Sequence, residues 1–68
     1  MLILTNKVRQ FREASNLTLK ELSDISHIGL STISNIETGL HIPRIDTAIL
    51  VARALGQPVE TIFSIEDI

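Results

Sequence analysis

Apolar residues recur at helical intervals along most of the chain, and turn-forming residues break the pattern into short segments. Leu4, Val8 and Phe11 fall four and three apart, while Arg9, Gln10, Arg12 and Glu13 take the other faces. That spacing predicts a first helix over about 6–15, stopped by Asn16. Thr18-Leu19-Lys20-Glu21 reads as a capping box, in which the hydroxyl and the carboxylate satisfy each other's backbone N–H groups. It predicts a second helix with Leu22 and Ile25 inward, and with Ser23 small enough for another helix to approach. His27-Ile28-Gly29 breaks the period. A third helix is expected from about Leu30 to Thr38, with Ile33 and Ile36 as its apolar stripe and Gly39 as a left-handed stop. Leu40-His41-Ile42-Pro43-Arg44 reads as a loop. A fourth helix over about 45–55 turns Ile49, Ala52 and Leu55 inward and stops at Gly56. Pro58 suits the first turn of a short fifth helix ending near Ile62. Leu2-Ile3-Leu4 and Ile62-Phe63-Ser64-Ile65 are rich in strand formers, and they are expected to pair as a two-stranded antiparallel ribbon. The predicted fold is therefore all-α: five helices with a short ribbon made from the two ends.

Length constrains how such a chain holds together. Its 68 residues fit a single domain, 1–68, and leave no room for a separate sensor. A domain this small buries only about 60% of its unfolded surface and usually needs a staple. With no cysteine, disulfides and thiolate metal sites are excluded, which leaves association with another copy. The apolar start, Met1-Leu2-Ile3-Leu4, is too short for a secretory signal, and no run is long enough for a membrane span. A cytoplasmic protein with no membrane contact is expected.

The third helix and the turn before it carry the candidate chemistry. Two short helices joined by a tight turn form a helix-turn-helix, whose second helix enters the DNA major groove. That geometry needs a small residue in the first helix, a residue tolerating positive φ in the turn and apolar anchors around them. Ser23, His27, Ile28, Ile33 and Ile36 occupy those places. The stretch from Leu17 to Gly39, with Ser31-Thr32-Ile33-Ser34-Asn35-Ile36-Glu37 at its heart, resembles the Cro/CI-type helix-turn-helix, or XRE, family of transcriptional regulators. The likeness continues through Pro43, Thr47 and Val51-Ala52-Arg53-Ala54-Leu55-Gly56 to Ile62-Phe63. It covers about 7–63, with the motif itself at about 18–38. It implies a lambda-repressor-like domain, and the strands at both ends resemble those of minimal dimeric members.

The resemblance assigns roles. It places Leu30, Ser31, Ser34 and Asn35 against base edges, where asparagine pairs with adenine and leucine meets a thymine methyl. It places Thr18, Leu19, Lys20, Gly29, Thr32, His41 and Arg44 along the phosphate backbone, with helix N-termini supplying N–H donors. Arg12 and Glu37 match an ion pair that often ties the first helix to the third. The chain departs from the family pattern at Leu19 (often Gln), at His27 (Gly in the turn), at Gly29 (Ser or Thr), at Leu30 (a polar reader) and at Arg44 (Ser).

Charge sets the strength of any such contact. Six basic and eight acidic residues give −2 overall. Residues 1–53 hold all six basic groups and five acids, and residues 54–68 hold three acids and no base. Few phosphate contacts and a modest non-specific affinity follow. His27 and His41 have no partner at metal-ligand spacing, and no nucleophile–base set or phosphate-cradling loop is visible, so neither an enzyme nor a cofactor or metal is expected. The leading expectation is a repressor that binds an inverted repeat in double-stranded DNA as a homodimer. Val59, Ile62, Phe63, Ile65 and Ile68 are the expected dimer contacts, being more apolar than a small monomer should expose. The acidic balance, Leu19 and Leu30 motivate a second reading: an antitoxin or protein-interaction module of the same fold, with a protein partner and weak DNA affinity.

Overall fold

Local turn chemistry decides where each helix begins and ends. In the computed structural model, which describes residues 1–68, the order is β1 (Leu2–Asn6), α1 (Val8–Ala14), α2 (Leu19–Ser26), α3 (Leu30–Glu37), α4 (Ile45–Ala54), α5 (Val59–Ile62) and β2 (Phe63–Asp67). The capping box is formed: Thr18 Oγ1 accepts from the Glu21 N–H at 3.1 Å, and a Glu21 carboxylate oxygen accepts from the Thr18 N–H at 2.9 Å. His27 ends α2 in the left-handed region at φ 61°. Gly39 and Gly56 close α3 and α4 at φ 80° and 70°, where a side chain would be strained.

The core is built from one stripe of each element. Val8, Leu22, Ile33, Val51 and Ile62 are fully buried, and Ile36, Ala48, Ala52, Leu55 and Phe63 nearly so. Leu22 is the fully buried apolar residue of α2, while Ala48, Val51 and Ala52 form the inward face of α4.

Several expectations change here. Ile25 and Ile49 face outward, 52% and 40% exposed. On α2 the buried partner of Leu22 is Ser26, one turn on, whose hydroxyl is taken up by the α2–α3 turn. On α4 the inward set is Ala48, Val51, Ala52 and Leu55, a full three-four repeat that leaves Ile49 at its margin. Ile62 and Phe63, expected on a dimer surface, are instead buried in the protomer: Ile62 ends α5 against the core, and Phe63 starts β2. Val59 also packs against the core, half-buried, which leaves Ile65 and Ile68 exposed.

The two ends pair as an antiparallel ribbon, one or two residues beyond the predicted limits. Its register sets Leu2 opposite Asp67, Ile3 opposite Glu66, Leu4 opposite Ile65, Thr5 opposite Ser64 and Asn6 opposite Phe63. The Lys7 N–H donates to the Ile62 carbonyl at 2.8 Å and fastens its base to α5.

The αL turn at His27 yields a stability test. A left-handed non-glycine residue costs about 1–2 kcal/mol. Glycine returns about 0.5–1 kcal/mol of that through unfolded-state entropy. The His27 side chain is exposed and makes no hydrogen bond, so nothing else is lost. His27→Gly is expected to stabilise by about 0.5–1 kcal/mol, a rise of roughly 2–8 °C in the thermal midpoint followed by circular dichroism. A lower midpoint would refute strain at this turn.

Candidate nucleic-acid interface

Helix α3 is held at its C-terminal end by charge. Glu37 is its last residue, and the Glu37 side chain is 1% exposed. A carboxylate at a helix C-terminus opposes the macrodipole, so its burial needs compensation. Arg12 on α1 supplies it in a fork: Nε reaches Oε2 at 2.8 Å and Nη2 reaches Oε1 at 3.3 Å. Arg9 adds Nε to Oε1 at 3.1 Å from a more exposed position. Arg12 Nη1 also donates to the Leu17 carbonyl at 2.8 Å, which draws the α1–α2 connection into the same cluster. The hydrogen bond to Glu37 raises the Arg12 pKa above the ordinary arginine value, while burial works against it. A raised cationic pKa stabilises the fold below the unfolded value and is lost only as pH rises through the folded one. The contribution is thus constant through neutral pH.

Asn6 adds a neutral tie. Its Nδ2 donates to the Ile36 carbonyl at 3.0 Å, and its Oδ1 accepts from the Val8 N–H at 3.1 Å. One side chain therefore caps the first turn of α1 and adds a second donor to the Ile36 carbonyl in the last turn of α3, which also accepts from the Gly39 N–H at 3.1 Å.

Serines hold the other end. Ser23 Oγ donates to the Ile28 carbonyl at 2.6 Å, and the Ile28 N–H donates to Ser26 Oγ at 3.3 Å. The turn between α2 and α3 is stitched from within, on either side of the αL residue His27.

With both ends pinned, α3 turns one side outward. At 100° per residue, Leu30, Ser34, Thr38, Ser31 and Asn35 fall within a sector about 140° wide. Leu30, Ser31, Asn35 and Thr38 are exposed and Ser34 is half-exposed, while Ile33 and Ile36 point into the core. Thr32 lies at the flank, half-buried.

The candidate backbone contacts flank this sector. At the N-terminus of α2 the Leu19 and Lys20 N–H groups lack intrahelical acceptors, since the first helical bond runs from Leu22 to Thr18. The Leu19 side chain packs against the core and offers nothing to phosphate. Gly29 caps α3 through its backbone alone, and a Cβ there would meet Thr32 Oγ1 at 3.8 Å, an ordinary contact. Lys20 pairs with Asp24 at 3.5 Å and Arg44 with Asp46 at 3.4 Å, all four side chains well exposed. His41 lies exposed in the loop before α4, among the exposed apolar side chains Leu40, Ile42 and Ile45.

The helix-turn-helix family pattern matches residues 8–62, from the start of α1 to the end of α5. This chain belongs to the XRE-type helix-turn-helix family. An uncharacterized HTH-type transcriptional regulator of Methanocaldococcus jannaschii is 33% identical over 64 residues, 94% of this chain and 97% of that protein. A protein of Methanothermobacter thermautotrophicus named as an HTH-type transcriptional regulatory protein is 35% identical over 63 residues. Those residues are 88% of this chain but only 20% of that relative, so the helix-turn-helix domain spans about a fifth of its length. Within this family member, Arg9, Asn6 and Ser26 are structural residues that sequence reasoning missed. Arg9 had a signal, since it lies one turn from Arg12 on the same helix.

Removing one partner of a buried pair leaves an uncompensated charge. Glu37→Ala is expected to cost about 3–5 kcal/mol. Arg9→Ala, which removes a side chain 57% exposed, is expected to cost under about 1 kcal/mol. Chemical denaturation of both variants checks the ranking; equal losses would contradict the clamp.

Proposed function

We propose that this helix-turn-helix protein binds double-stranded DNA in a sequence-specific manner and represses transcription, without catalysis, by covering a promoter as a homodimer. The observation that carries the reading is the outward sector of α3: Leu30, Ser31, Ser34 and Asn35 share one side of a helix pinned at both ends. Relatives named as transcriptional regulators support it. A rigid helix of this width suits the major groove, where Asn35 offers the donor–acceptor pair that matches adenine and Leu30 meets a thymine methyl. The Leu19 and Lys20 N–H groups, Thr18, Gly29, Thr32, His41 and Arg44 then serve the phosphates on either side. In a dimer, two such helices about 34 Å apart read an inverted repeat. No helix is long and apolar enough to cross a membrane, and a cytoplasmic site of action suits this role.

The net charge of −2 is compatible with this reading. Lys20 and Arg44 are held by Asp24 and Asp46 in exposed pairs, each worth about 0–1 kcal/mol. Exchanging them for phosphate costs little. Affinity should be modest and should rest on a few phosphate contacts.

A second reading is an antitoxin or interaction module that docks a protein partner. The exposed Ile25 favours it, lining a groove with Leu50 and Ala54 between His27 and Arg53. The two readings separate by mutation. On DNA flanking the coding region, titrated by fluorescence anisotropy at several salt concentrations, Asn35→Ala should cost about 1–3 kcal/mol on the specific site only. Arg44→Ala should weaken all sequences and lower the salt slope by about one. Salt-independent or absent binding by the unmodified protein would reject the repressor reading.

A further inference from the structure

The three most exposed large apolar side chains outside the chain ends lie together. Leu40, Ile42 and Ile45 are 80%, 74% and 72% exposed, on the short stretch that leads from α3 into α4. Single apolar side chains on a surface are ordinary, but a cluster marks an interface. The stretch is fastened to the outward side of α3. The Leu40 N–H donates to the Asn35 carbonyl at 2.9 Å and the Gly39 N–H to the Ile36 carbonyl at 3.1 Å, the paired bonds of a Schellman stop. Such a stop often sets the residue after the glycine against an apolar one in the last turn of the helix. Here that turn offers Asn35, and Leu40 stays uncovered. The connection is also stiff. Pro43 fixes its own φ and holds Ile42 in the extended region, and Arg44 is extended at φ −66°, ψ 160°. No acidic residue occurs between Glu37, whose carboxylate is taken up by Arg12 and Arg9, and Asp46, which pairs with Arg44.

We infer that the Leu40–Ile42–Ile45 cluster is an apolar DNA contact, packing against deoxyribose rings beside the bases that α3 reads, with His41 and Arg44 on the neighbouring phosphates. DNA binding by α3, proposed above, is the premise. The occupant is duplex DNA because the loop continues directly from the reading side of α3 and carries an arginine, a histidine and no unpaired acid. A loop that met phosphate alone would gain nothing from three apolar side chains. Position favours the sugar as well. The last turn of α3 ends in carbonyl groups whose partial negative charge repels phosphate, whereas an aliphatic side chain adheres to the uncharged sugar there. Burying it releases no counterion, so the contact strengthens binding without steepening the dependence on salt. Such a contact suits a chain of net charge −2 that can reach few phosphates.

The test titrates the full chain onto duplex DNA from its own upstream region at several salt concentrations. Ile42→Ser and Leu40→Ser, both at highly exposed sites, should keep the helical spectrum and bind about tenfold more weakly. The slope of log affinity against log salt should not change. Arg44→Ala, by contrast, should lower that slope by about one. A second measurement locates the contact. The chain has no cysteine, so Ile42→Cys supplies the one protein thiol for a disulfide with a thiol tethered to a sugar of the duplex. The cross-link should form at sugars flanking the bases that α3 protects, and should not form from Ile25→Cys on α2. Equal binding by Ile42→Ser, a loss that lowers the slope, or cross-linking as strong from Ile25→Cys would overturn the assignment; equal binding would leave the cluster to a protein partner. If the unmodified chain binds no duplex, the repressor reading falls together with this one. If it binds and Ile42→Ser binds alike, only this assignment falls.

Discussion

The forked contact between Arg12 and Glu37 is the constraint around which the rest is arranged. It buries a carboxylate at the helix end where the backbone dipole is least favourable to it, and it does so with a partner from a different helix. Two further donors close the cluster, Arg9 on the carboxylate and Arg12 Nη1 on the Leu17 carbonyl. In one place the cluster thus fixes the angle between α1 and α3 and the path of the chain between α1 and α2. Such pairs add little net stability over a well-packed apolar alternative, but breaking one is expensive. Their value here is positional. The ionic cluster joins α1, α3 and the Leu17 carbonyl through directional contacts, alongside the apolar packing of the ten-residue core.

The opposite end of α3 is held by different means. Ser23 and Ser26 tie the turn through hydroxyl–backbone bonds, and Ser26 is small enough to sit between two helices at 2% exposure. Asn6 completes the frame by joining the base of the ribbon to the last turn of α3. The ribbon, the first helix and α3 therefore form one mechanical unit.

Much of this was legible in the chain itself, for identifiable reasons. The capping box at Thr18, the αL stops at Gly39 and Gly56 and the three-four repeat of Ile33 and Ile36 are local signals, and local signals survive folding. The ends were legible because strand formers cluster in both, although Leu4 also falls in helical step with Val8. Ile25 was misread because three-residue spacing from Leu22 does not say which edge of a helix meets its neighbour; the four-residue step to Ser26 is the buried one. Ile62 and Phe63 read as dimer contacts because their segment is more apolar than a small monomer should expose, whereas the protomer's own core takes up both. Asn6 carried no signal, because its partner, the Ile36 carbonyl, lies thirty residues away and is a backbone atom. The outer side of α3 was legible as a set of residues from family likeness and helical geometry. The Arg12–Glu37 tie at one end came with that likeness; the Ser23 and Ser26 ties at the other end, which run to backbone atoms, had no sequence signal.

The most direct check on the central claim, that this pinned helix offers its outer side to duplex DNA, is an amide chemical-shift map of the protein titrated with DNA from its own upstream region. The account predicts that the largest shifts fall on Gly29 to Asn35, with smaller ones at Leu19, Lys20 and the His41–Arg44 loop. Shifts centred instead on the Ile25–Leu50 groove or confined to the ribbon, with α3 unmoved, would contradict it.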